Sequence, residues 1–298
     1  MMRKIGMICF AISLALISCN TNEEKTTLAP LKEGEDYLIT ISTRLGDMKA
    51  VLYDQTPQHK ANFVKLASEG FFDDLLFHRI IKDFMIQGGD PDSRNAGPDK
   101  MLGGGSPGYN IPAEFNQDLI HEKGALSAAR KGDRINPKKE SNGSQFFIVQ
   151  GTPFSREELA VQNTDIKSLF ALFDSLVNME QFNDLNAQYG ELQMDGDREK
   201  LFKFIWEQKG TIEKQFGAEL EKPMTEKQKS TYTSVGGYPS LDGEYTVFGK
   251  VVSGLEVIDK IADVATQPGD RPVEDVKMEV KVEVLSKKEI MDTYGVEY

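Results

Sequence analysis

The feature that most constrains the fold is a strict alternation of apolar and charged residues near the C-terminal end of the chain. The apolar side chains of this run are Val276, Met278, Val280, Val282 and Val284, and the charged ones between them are Lys277, Glu279, Lys281 and Glu283. Successive side chains of a β-strand point to opposite faces, so the run predicts a strand with one buried face. Residues 36–43 and 48–53 alternate similarly around Leu45-Gly46-Asp47, which predicts an opening pair of strands.

Two short helices and further strands are predicted between these ends. The first helix begins at Thr56-Pro57 and ends at Gly70. Its predicted buried face consists of Ala61, Val64 and Ala67. The second helix has Ser253 as its predicted N-cap, and its buried face consists of Val257, Ile258 and Ile261. With strands also predicted at 145–150 and 245–252, many short strands and two helices favour a mainly β fold, a closed β-barrel.

Residues 155–235 break this pattern, because helical spacing replaces the strand signals. A helix beginning at Thr164-Asp165 would carry an apolar stripe of Ile166, Leu169, Phe170, Phe173, Leu176 and Val177. A second helix is predicted after the loop 195–197, with Leu201, Phe204, Ile205, Ile212 and Phe216 on one face, and a shorter third helix is predicted from Thr225. We interpret the segment as a helical insertion into one domain that spans residues 36–298. Its stripes either pack against one another and the barrel, which is the usual role of such stripes, or bind lipid or a partner.

The N-terminal residues have the pattern of an export signal. A positive start at Arg3 and Lys4 precedes an apolar run at 5–17 that is too short to span a bilayer. The run ends at Cys19 in a pattern that resembles the bacterial lipobox, in which the signal, here residues 1–18, is removed and the cysteine carries lipid. An ordinary signal peptide with an incidental cysteine is the alternative. Residues 19–35 are mostly polar and lack apolar periodicity, which predicts a flexible tether to a membrane.

Composition restricts the partners of the processed chain. The chain has 35 basic and 47 acidic residues, and removal of Arg3 and Lys4 makes the balance more acidic. Such acidity argues against nucleic acid or an anionic lipid surface as a partner. The second cysteine, Cys9, lies in the signal, so the processed chain would hold a single thiol and no internal disulfide.

A series of motifs runs through the strand-rich part of the chain. In order, they are Phe77-His78-Arg79-Ile80-Ile81, Phe84-Met85, Gln87-Gly88-Gly89-Asp90, Gly124-Ala125-Leu126-Ser127 with Ala129, Asn142-Gly143-Ser144-Gln145-Phe146-Phe147 and Leu241-Asp242-Gly243. In this order the chain resembles the cyclophilins, a family of peptidyl-prolyl cis-trans isomerases, over residues 36–285 apart from the insertion. The resemblance implies a closed eight-stranded antiparallel β-barrel capped by two helices, with a substrate groove on its outside.

The implied chemistry needs no covalent bond to form or break. Amide resonance opposes rotation with a barrier of about 18–20 kcal/mol, and an X-Pro bond exchanges in tens of seconds or more. A donor to the proline nitrogen stabilises the twisted state, because that lone pair accepts a hydrogen bond only once resonance is lost. Arg79 is the candidate donor, since its guanidinium is a rigid planar fork, and Gln87 would orient it or hold the substrate carbonyl.

The resemblance assigns the remaining site residues to substrate binding. Those that would line the apolar pocket for the proline ring are Phe84, Met85, Phe147 and Leu241, with Tyr245 as a secondary member. Those that would contact the residues before the proline, partly through backbone groups, are Ala129, Arg130 and Gln145. Any one of these residues alone would be read as core or as a solvated charge. Only their combination favours a site.

Two positions depart from the family pattern. Ser240 stands where the best-known members have tryptophan, which puts cyclosporin binding in doubt more than catalysis. Tyr245 stands where histidine is usual, and it could pack on the proline or donate from its hydroxyl. We assign His78 to structure, and expect His59 and His121 at the surface. No metal or cofactor is expected, because three scattered histidines form no ligand pattern and the Gly103-Gly104-Gly105 run lacks the Lys and Ser or Thr of a phosphate loop.

The sequence therefore predicts a lipid-anchored prolyl isomerase in the bacterial cell envelope that assists the folding of exported proteins. Two alternatives remain: a cyclophilin-fold binding module or chaperone with incidental turnover, and a ligand-capturing envelope lipoprotein. The insertion begins shortly after Phe147 and ends shortly before Leu241, so we expect it to form a wall or lid beside the groove. Deleting it should then affect protein substrates more than short peptides.

Overall fold

A computed structural model describes residues 30–297 of the chain. The strands are β1 (Glu35–Thr43), β2 (Gly46–Leu52), β3 (Arg79–Ile81), β4 (Met85–Gly88), β5 (Asn110–Ile111), β6 (Ala125–Ala128), β7 (Ser141–Asn142), β8 (Phe146–Val149), β9 (Val247–Ser253) and β10 (Glu279–Ser286). The helices are α1 (Pro57–Ser68), α2 (Arg156–Gln162), α3 (Ile166–Val177), α4 (Asn183–Asp195), α5 (Arg198–Glu207), α6 (Lys209–Phe216), α7 (Glu226–Ser234), α8 (Leu255–Ala262) and α9 (Lys287–Tyr294).

Eight of the strands form one antiparallel sheet in the order β10-β1-β2-β9-β6-β8-β4-β3. β5 and β7 form a separate small pair. The first and last long strands, β1 and β10, lie side by side with Glu35 opposite Ser286. The two ends of the alternating sequence therefore meet in one sheet.

Period-two alternation directs one face of the sheet into the core. Side chains of Ile39 and Ile41 on β1, Leu126 on β6 and Ile148 on β8 belong to the same fully buried cluster. Helix α1 adds Phe63 and helix α8 adds Ile258 and Ile261 to that cluster. The two predicted helices thus bury their apolar faces against the sheet.

Details of both helices differ from the sequence prediction. In α1 the residue at position 61 is exposed, because Phe63 and Leu66 take the buried face together with Val64 and Ala67. Ser253 is the last residue of β9 rather than a helix cap. The N-cap of α8 is Gly254, at φ 84°, and a Cβ there would lie 2.2 Å from the carbonyl oxygen of Asp47, so only glycine fits.

The C-terminal strand begins later and ends later in the sequence than predicted. β10 begins at Glu279, while Val276 and Met278 before it are fully buried. Val284 is 38% exposed, so the apolar face of this strand is buried only in its first half. The strand β1 also begins at Glu35, one residue inside the predicted tether.

Residues 155–235, called here the helical segment, have their own apolar cluster. Its buried members are Leu169, Phe173, Leu176, Val177, Ile205, Ile212 and Leu220. The predicted stripes therefore pack against one another, although Phe170 remains 37% exposed. The single helix expected to carry both Leu201 and Phe216 is two helices, α5 and α6, and the pattern did not predict α2 or α4. The third helix does begin after Thr225, which caps α7 in a capping box with Gln228.

The proposed signal, Cys19 and most of the tether lie outside the described residues. Within residues 30–297, no helix has the length and apolar character needed to cross a membrane.

Candidate active site

The alternation of β3, β4 and β8 places the candidate catalytic side chains on the outer face of the sheet. Arg79 pairs with Gln87 across β3 and β4, and Gln87 pairs with Phe147 across β4 and β8. Directly paired residues share a face, so these three side chains form a row. The intervening residues Ile80 and Ile86 point into the buried core.

A chain of hydrogen bonds fixes the polar part of this row. The Arg79 Nη1 donates to Gln87 Oε1 at 3.4 Å, and Gln87 Nε2 donates to Gln145 Oε1 at 3.1 Å. Gln145 Nε2 then donates to the carbonyl oxygens of Gly103 and Gly105 at 3.1 and 2.7 Å. Gln87 therefore orients Arg79, while the buried Gln145 uses its amide to hold the neighbouring loop.

Asp270 is a second partner of Arg79 that sequence reasoning missed. Arg79 Nε donates to Asp270 Oδ2 at 3.3 Å, and both side chains are partly exposed, at 41% and 44%. The Asp270 carbonyl accepts from Ile80 N at 2.8 Å, so the backbone anchors this loop beside β3. Asp270 and Gln87 approach the guanidinium through different nitrogens and leave part of it open to solvent.

The glycine-rich loop is held by the buried carboxylate of Asp90. Asp90 Oδ2 accepts from the backbone N–H groups of Gly103 and Gly105 at 2.5 and 3.4 Å. A Cβ at Gly105 would lie 2.0 Å from Asp90 Oδ1, so this close approach requires glycine. The loop serves the site by presenting its carbonyls to Gln145.

The apolar candidates come together in one cluster beside this polar row. Met85, Phe147 and Ala129 are buried members, and the partly buried residues packed against them include Phe84, Leu241 and Tyr245. The rings of Phe147 and Tyr245 meet edge to face at 5.6 Å. A partly exposed apolar surface of this kind suits a proline ring.

Tyr238 also belongs to this apolar cluster, although the motifs did not include it. Its ring lies 4.3 Å from that of Phe84. The residue two positions later is Ser240, where tryptophan was expected from the family pattern. An aromatic ring therefore packs beside Phe84 in the pocket cluster, although position 240 is a serine.

The structure assigns Ala129 and Arg130 mostly to internal contacts. Ala129 N donates to Gln145 O at 2.9 Å and Ala129 O accepts from Asn142 N at 2.8 Å, so its N–H is not free for a substrate. The Arg130 guanidinium donates to Glu244 O at 2.7 Å and lies 4.6 Å from the Tyr245 ring centre. The Arg130 side chain is only 5% exposed and packs against the Tyr245 ring.

The expectation that His121 lies at the surface is wrong. Its ring is fully buried and stacks on Phe147 with centroids 6.1 Å apart. Its Nδ1 is 2.8 Å from Asp242 Oδ1, and Asp242 Oδ2 accepts from the hydroxyl of Tyr232 in α7 at 2.6 Å. Burial, together with the Asp242 carboxylate, raises the pKa of Tyr232, which keeps the hydroxyl protonated as a donor. The helical segment thus supports the pocket through Tyr232.

His59 is also buried, contrary to expectation. Its Nδ1 lies 2.6 Å from Glu114 Oε2 and its Nε2 lies 2.9 Å from Ser141 Oγ. Burial lowers the pKa of His59, although the hydrogen bond to Glu114 acts in the opposite direction. His78 is buried at 3% exposure, and burial lowers its pKa too. The partly buried carboxylates of Glu114 and Asp242, which composition alone does not reveal, are the partners that hold the rings of His59 and His121 inside.

No group of three or more His, Cys, Asp or Glu side chains within residues 30–297 is arranged to hold a metal ion. The site is instead an arginine held by an aspartate and a glutamine beside an aromatic and aliphatic pocket. Such an arrangement can donate hydrogen bonds and bind an apolar ring, and it presents no group positioned for nucleophilic attack.

Comparison with known proteins identifies this class of protein. The family model for cyclophilin type peptidyl-prolyl cis-trans isomerase/CLD matches residues 38–282. The chain therefore belongs to the cyclophilin-type peptidyl-prolyl cis-trans isomerases, which catalyse rotation about X-Pro bonds. Its fold is mainly β, with an eight-stranded antiparallel sheet and packed helices.

Similar bacterial proteins carry matching names. A Streptococcus pyogenes protein named as a bifunctional phosphatase/peptidyl-prolyl cis-trans isomerase is 32% identical over 246 residues, which cover 81% of this chain but only 37% of that protein. A Staphylococcus haemolyticus protein named as a peptidyl-prolyl cis-trans isomerase is 30% identical over 251 residues, which cover 83% of this chain and 92% of that protein.

Among solved structures, a cyclophilin type peptidyl-prolyl cis-trans isomerase from Cryptosporidium parvum matches with a TM-score of 0.47 and 21% identity, covering 85% of this chain and 99% of that one. A second structure of that protein was determined in the presence of the dipeptide Ala-Pro, with a TM-score of 0.46.

Proposed function

We propose that Arg79 is the catalytic group of this isomerase and that Gln87 orients it. The observation that carries this role is the position of Arg79, whose guanidinium is partly open to solvent while Gln87 and Asp270 fix two of its nitrogens. A guanidinium held in this way donates to the proline nitrogen when its lone pair localises in the twisted state. Preorganisation matters because the donor then needs no rearrangement as the bond rotates.

The proline ring enters the apolar cluster on the same face. Phe147 forms the floor of this pocket, since it pairs with Gln87 in the sheet and therefore lies next to the polar side chains of the row. The members that surround it are Phe84, Met85, Leu241, Tyr245 and Tyr238. With the proline ring fixed there, the group before the proline is free to rotate. Gln145, Ala129 and Arg130 shape that side of the groove, Ala129 through its hydrogen bond with Gln145 and Arg130 through its hydrogen bond with Glu244.

We infer that the sheet closes into a barrel and that residues 155–235 are an insertion into a single domain. The segments just before the edge strands β3 and β10 bond to each other, with Phe77 N donating to Val276 O and Met278 N donating to Leu75 O, both at 2.9 Å. The two ends of the helical segment meet as well, because Thr152 and Gly237 form a bridge. The family match spans both strands that flank the segment.

The substrates are proline-containing polypeptides of the bacterial cell envelope, reached by a protein tethered to a membrane through lipid on Cys19. This proposal rests on the sequence of residues 1–35, with its short apolar run and cysteine. Fractionation of cells that express the full chain tests it. The wild type is expected in the membrane fraction and Cys19→Ser in the aqueous fraction, and equal partition of both would contradict lipid attachment.

Refolding of a protein limited by proline isomerisation tests the role in folding. Such a slow phase takes about 10–100 s at 25 °C, so a catalyst is easily detected. Residues 20–298 should accelerate that phase in proportion to their concentration. Binding of the unfolded chain without acceleration would favour the alternative, a cyclophilin-fold binding module or chaperone, which shares the same pocket.

A further inference from the structure

A second concave surface begins where the proline pocket ends. The loop 241–245 has two sides, since Leu241 and Tyr245 pack in the proline pocket, whereas Asp242, Gly243 and Glu244 line a separate cleft of about 440 Å³. Leu119 likewise packs against the pocket cluster and lines the cleft. We call this surface the Met224 cleft, after the residue that lines its opposite side.

The Met224 cleft is formed between the helical segment and the loops of the sheet domain, and hydrogen bonds hold its two sides together. Gln228 Nε2 in α7 donates to Gln117 O at 2.7 Å, and Lys222 Nζ donates to Asp242 O at 3.0 Å. Within the helical segment, Asn163 Nδ2 donates to Lys222 O at 2.6 Å. The shape therefore exists before any ligand arrives, which lowers the entropic cost of binding.

The lining combines apolar and amide side chains with three charged residues, Lys222, Asp242 and Glu244. The apolar members are Phe115, Leu119, Pro223 and Met224, and the amide members include Asn116 and Asn163. A neighbouring hollow of about 330 Å³ between α2 and α7 shares Asn163 and Met224 with the cleft, so the surface continues across the helical segment. Apolar side chains and backbone amides are what an extended polypeptide offers, and its amides can pair with side-chain amides.

We propose that the Met224 cleft binds the stretch of substrate polypeptide that flanks the target proline, and that it selects an apolar side chain there. This inference rests on the proposed function, because continuity with the proline pocket identifies the occupant. The helical segment then extends the groove rather than covering it. Short peptides that stop near the proline do not reach the cleft.

Peptides of two lengths test this proposal. A four-residue X-Pro peptide is compared with the same peptide extended by five residues, including a leucine, on its N-terminal or its C-terminal side. Met224→Glu places a charge in the cleft, and Met194→Glu is the matched control, because Met194 is 83% exposed on α4 and does not line the cleft. We expect Met224→Glu to raise KM about tenfold for only one of the two extended peptides. The KM of Met224→Glu for the short peptide, and the KM of Met194→Glu for every peptide, should equal those of the wild type.

The outcomes separate the cleft from the proposed function. If the wild type isomerises the short peptide but all three proteins treat the extended peptides alike, the cleft proposal is wrong and the isomerase stands. If the folded wild type turns over no peptide, the proposed function is wrong. In that case the cleft proposal is tested by the affinity for a labelled extended peptide, measured by fluorescence anisotropy. The proposal requires that Met224→Glu bind this peptide more weakly than Met194→Glu does. If Met224→Glu has a lower Tm than the wild type, Pro223→Glu, at an exposed position, is used in its place.

Discussion

Replacing Arg79 with alanine tests the mechanism most directly. The side chain is 41% exposed, and the contacts that fix it are a 3.3 Å ion pair with Asp270 and a 3.4 Å hydrogen bond to Gln87. An exposed pair contributes about 0–1 kcal/mol, so the fold should keep its stability. A donor that acts only in the transition state contributes far more, and its loss should lower kcat/KM by about 10²–10³-fold.

The assay is cis-trans exchange of a short X-Pro peptide, followed by NMR or by coupling to a protease specific for one isomer. Lys82→Ala is the matched control, because Lys82 is a neighbouring cation, 65% exposed, that is paired with Asp263 at 2.7 Å. The reasoning is refuted if Arg79→Ala loses less than about tenfold, or if Lys82→Ala loses as much. Arg79→Lys should fall between alanine and the wild type, since it retains the charge but not the fork.

Three further predictions concern residues around the site. Asp270→Asn should lower kcat/KM about two- to fivefold by loosening Arg79, as expected for an exposed pair worth about 0.5–1 kcal/mol, and an unchanged rate would contradict that role. Tyr232→Phe should lower the free energy of unfolding in urea by about 1–2 kcal/mol, because it leaves an oxygen of Asp242 without its donor, and a change below about 0.5 kcal/mol would argue against the bond. His78 is buried, and burial lowers its pKa below the ordinary value of 6.5, so the unfolded chain binds more protons between the two pKa values. The contribution of His78 to the free energy of unfolding is complete above pH 6.5 and declines as the pH falls towards the folded-state pKa. In His78→Asn the free energy of unfolding should therefore fall less steeply than in the wild type between about pH 6.5 and 5. Identical pH dependence of the two proteins would refute this.

The candidate residues of the site came from the resemblance to the cyclophilin motifs, and strand alternation explains how the structure presents them. In Phe77-His78-Arg79-Ile80-Ile81, alternation requires that Arg79 point outward if Ile80 points inward, and the structure has this arrangement. The same rule places Phe146 in the core and Phe147 in the pocket. A shift of one residue would bury the arginine and expose the isoleucine, so the register of these strands is strongly specified.

Contacts between distant parts of the chain could not be predicted in this way. Arg79 and Asp270 are 191 residues apart, and His121 and Asp242 are 121 apart. A histidine pattern says nothing about whether a carboxylate will meet it in the folded state, so the expectation of surface positions for His59 and His121 failed. The prediction that Ala61 lies on the buried face of α1 failed for a different reason. Alanine fits either face of a helix, and the larger Phe63 determined which face is buried.

The contact through Tyr232 changes how the role of the helical segment must be tested. Removing residues 155–235 would delete the proposed extension of the substrate groove. It would also delete the hydroxyl that holds Asp242, and with it a support of His121, whose ring stacks on Phe147. Activity on short peptides would then fall together with activity on proteins, even if the segment recognises only long substrates. Single substitutions separate the two effects. Tyr232→Phe removes the hydroxyl that holds Asp242 but keeps Pro223 and Met224 of the cleft, whereas a charge at Met224 changes the cleft and keeps the bond between Tyr232 and Asp242.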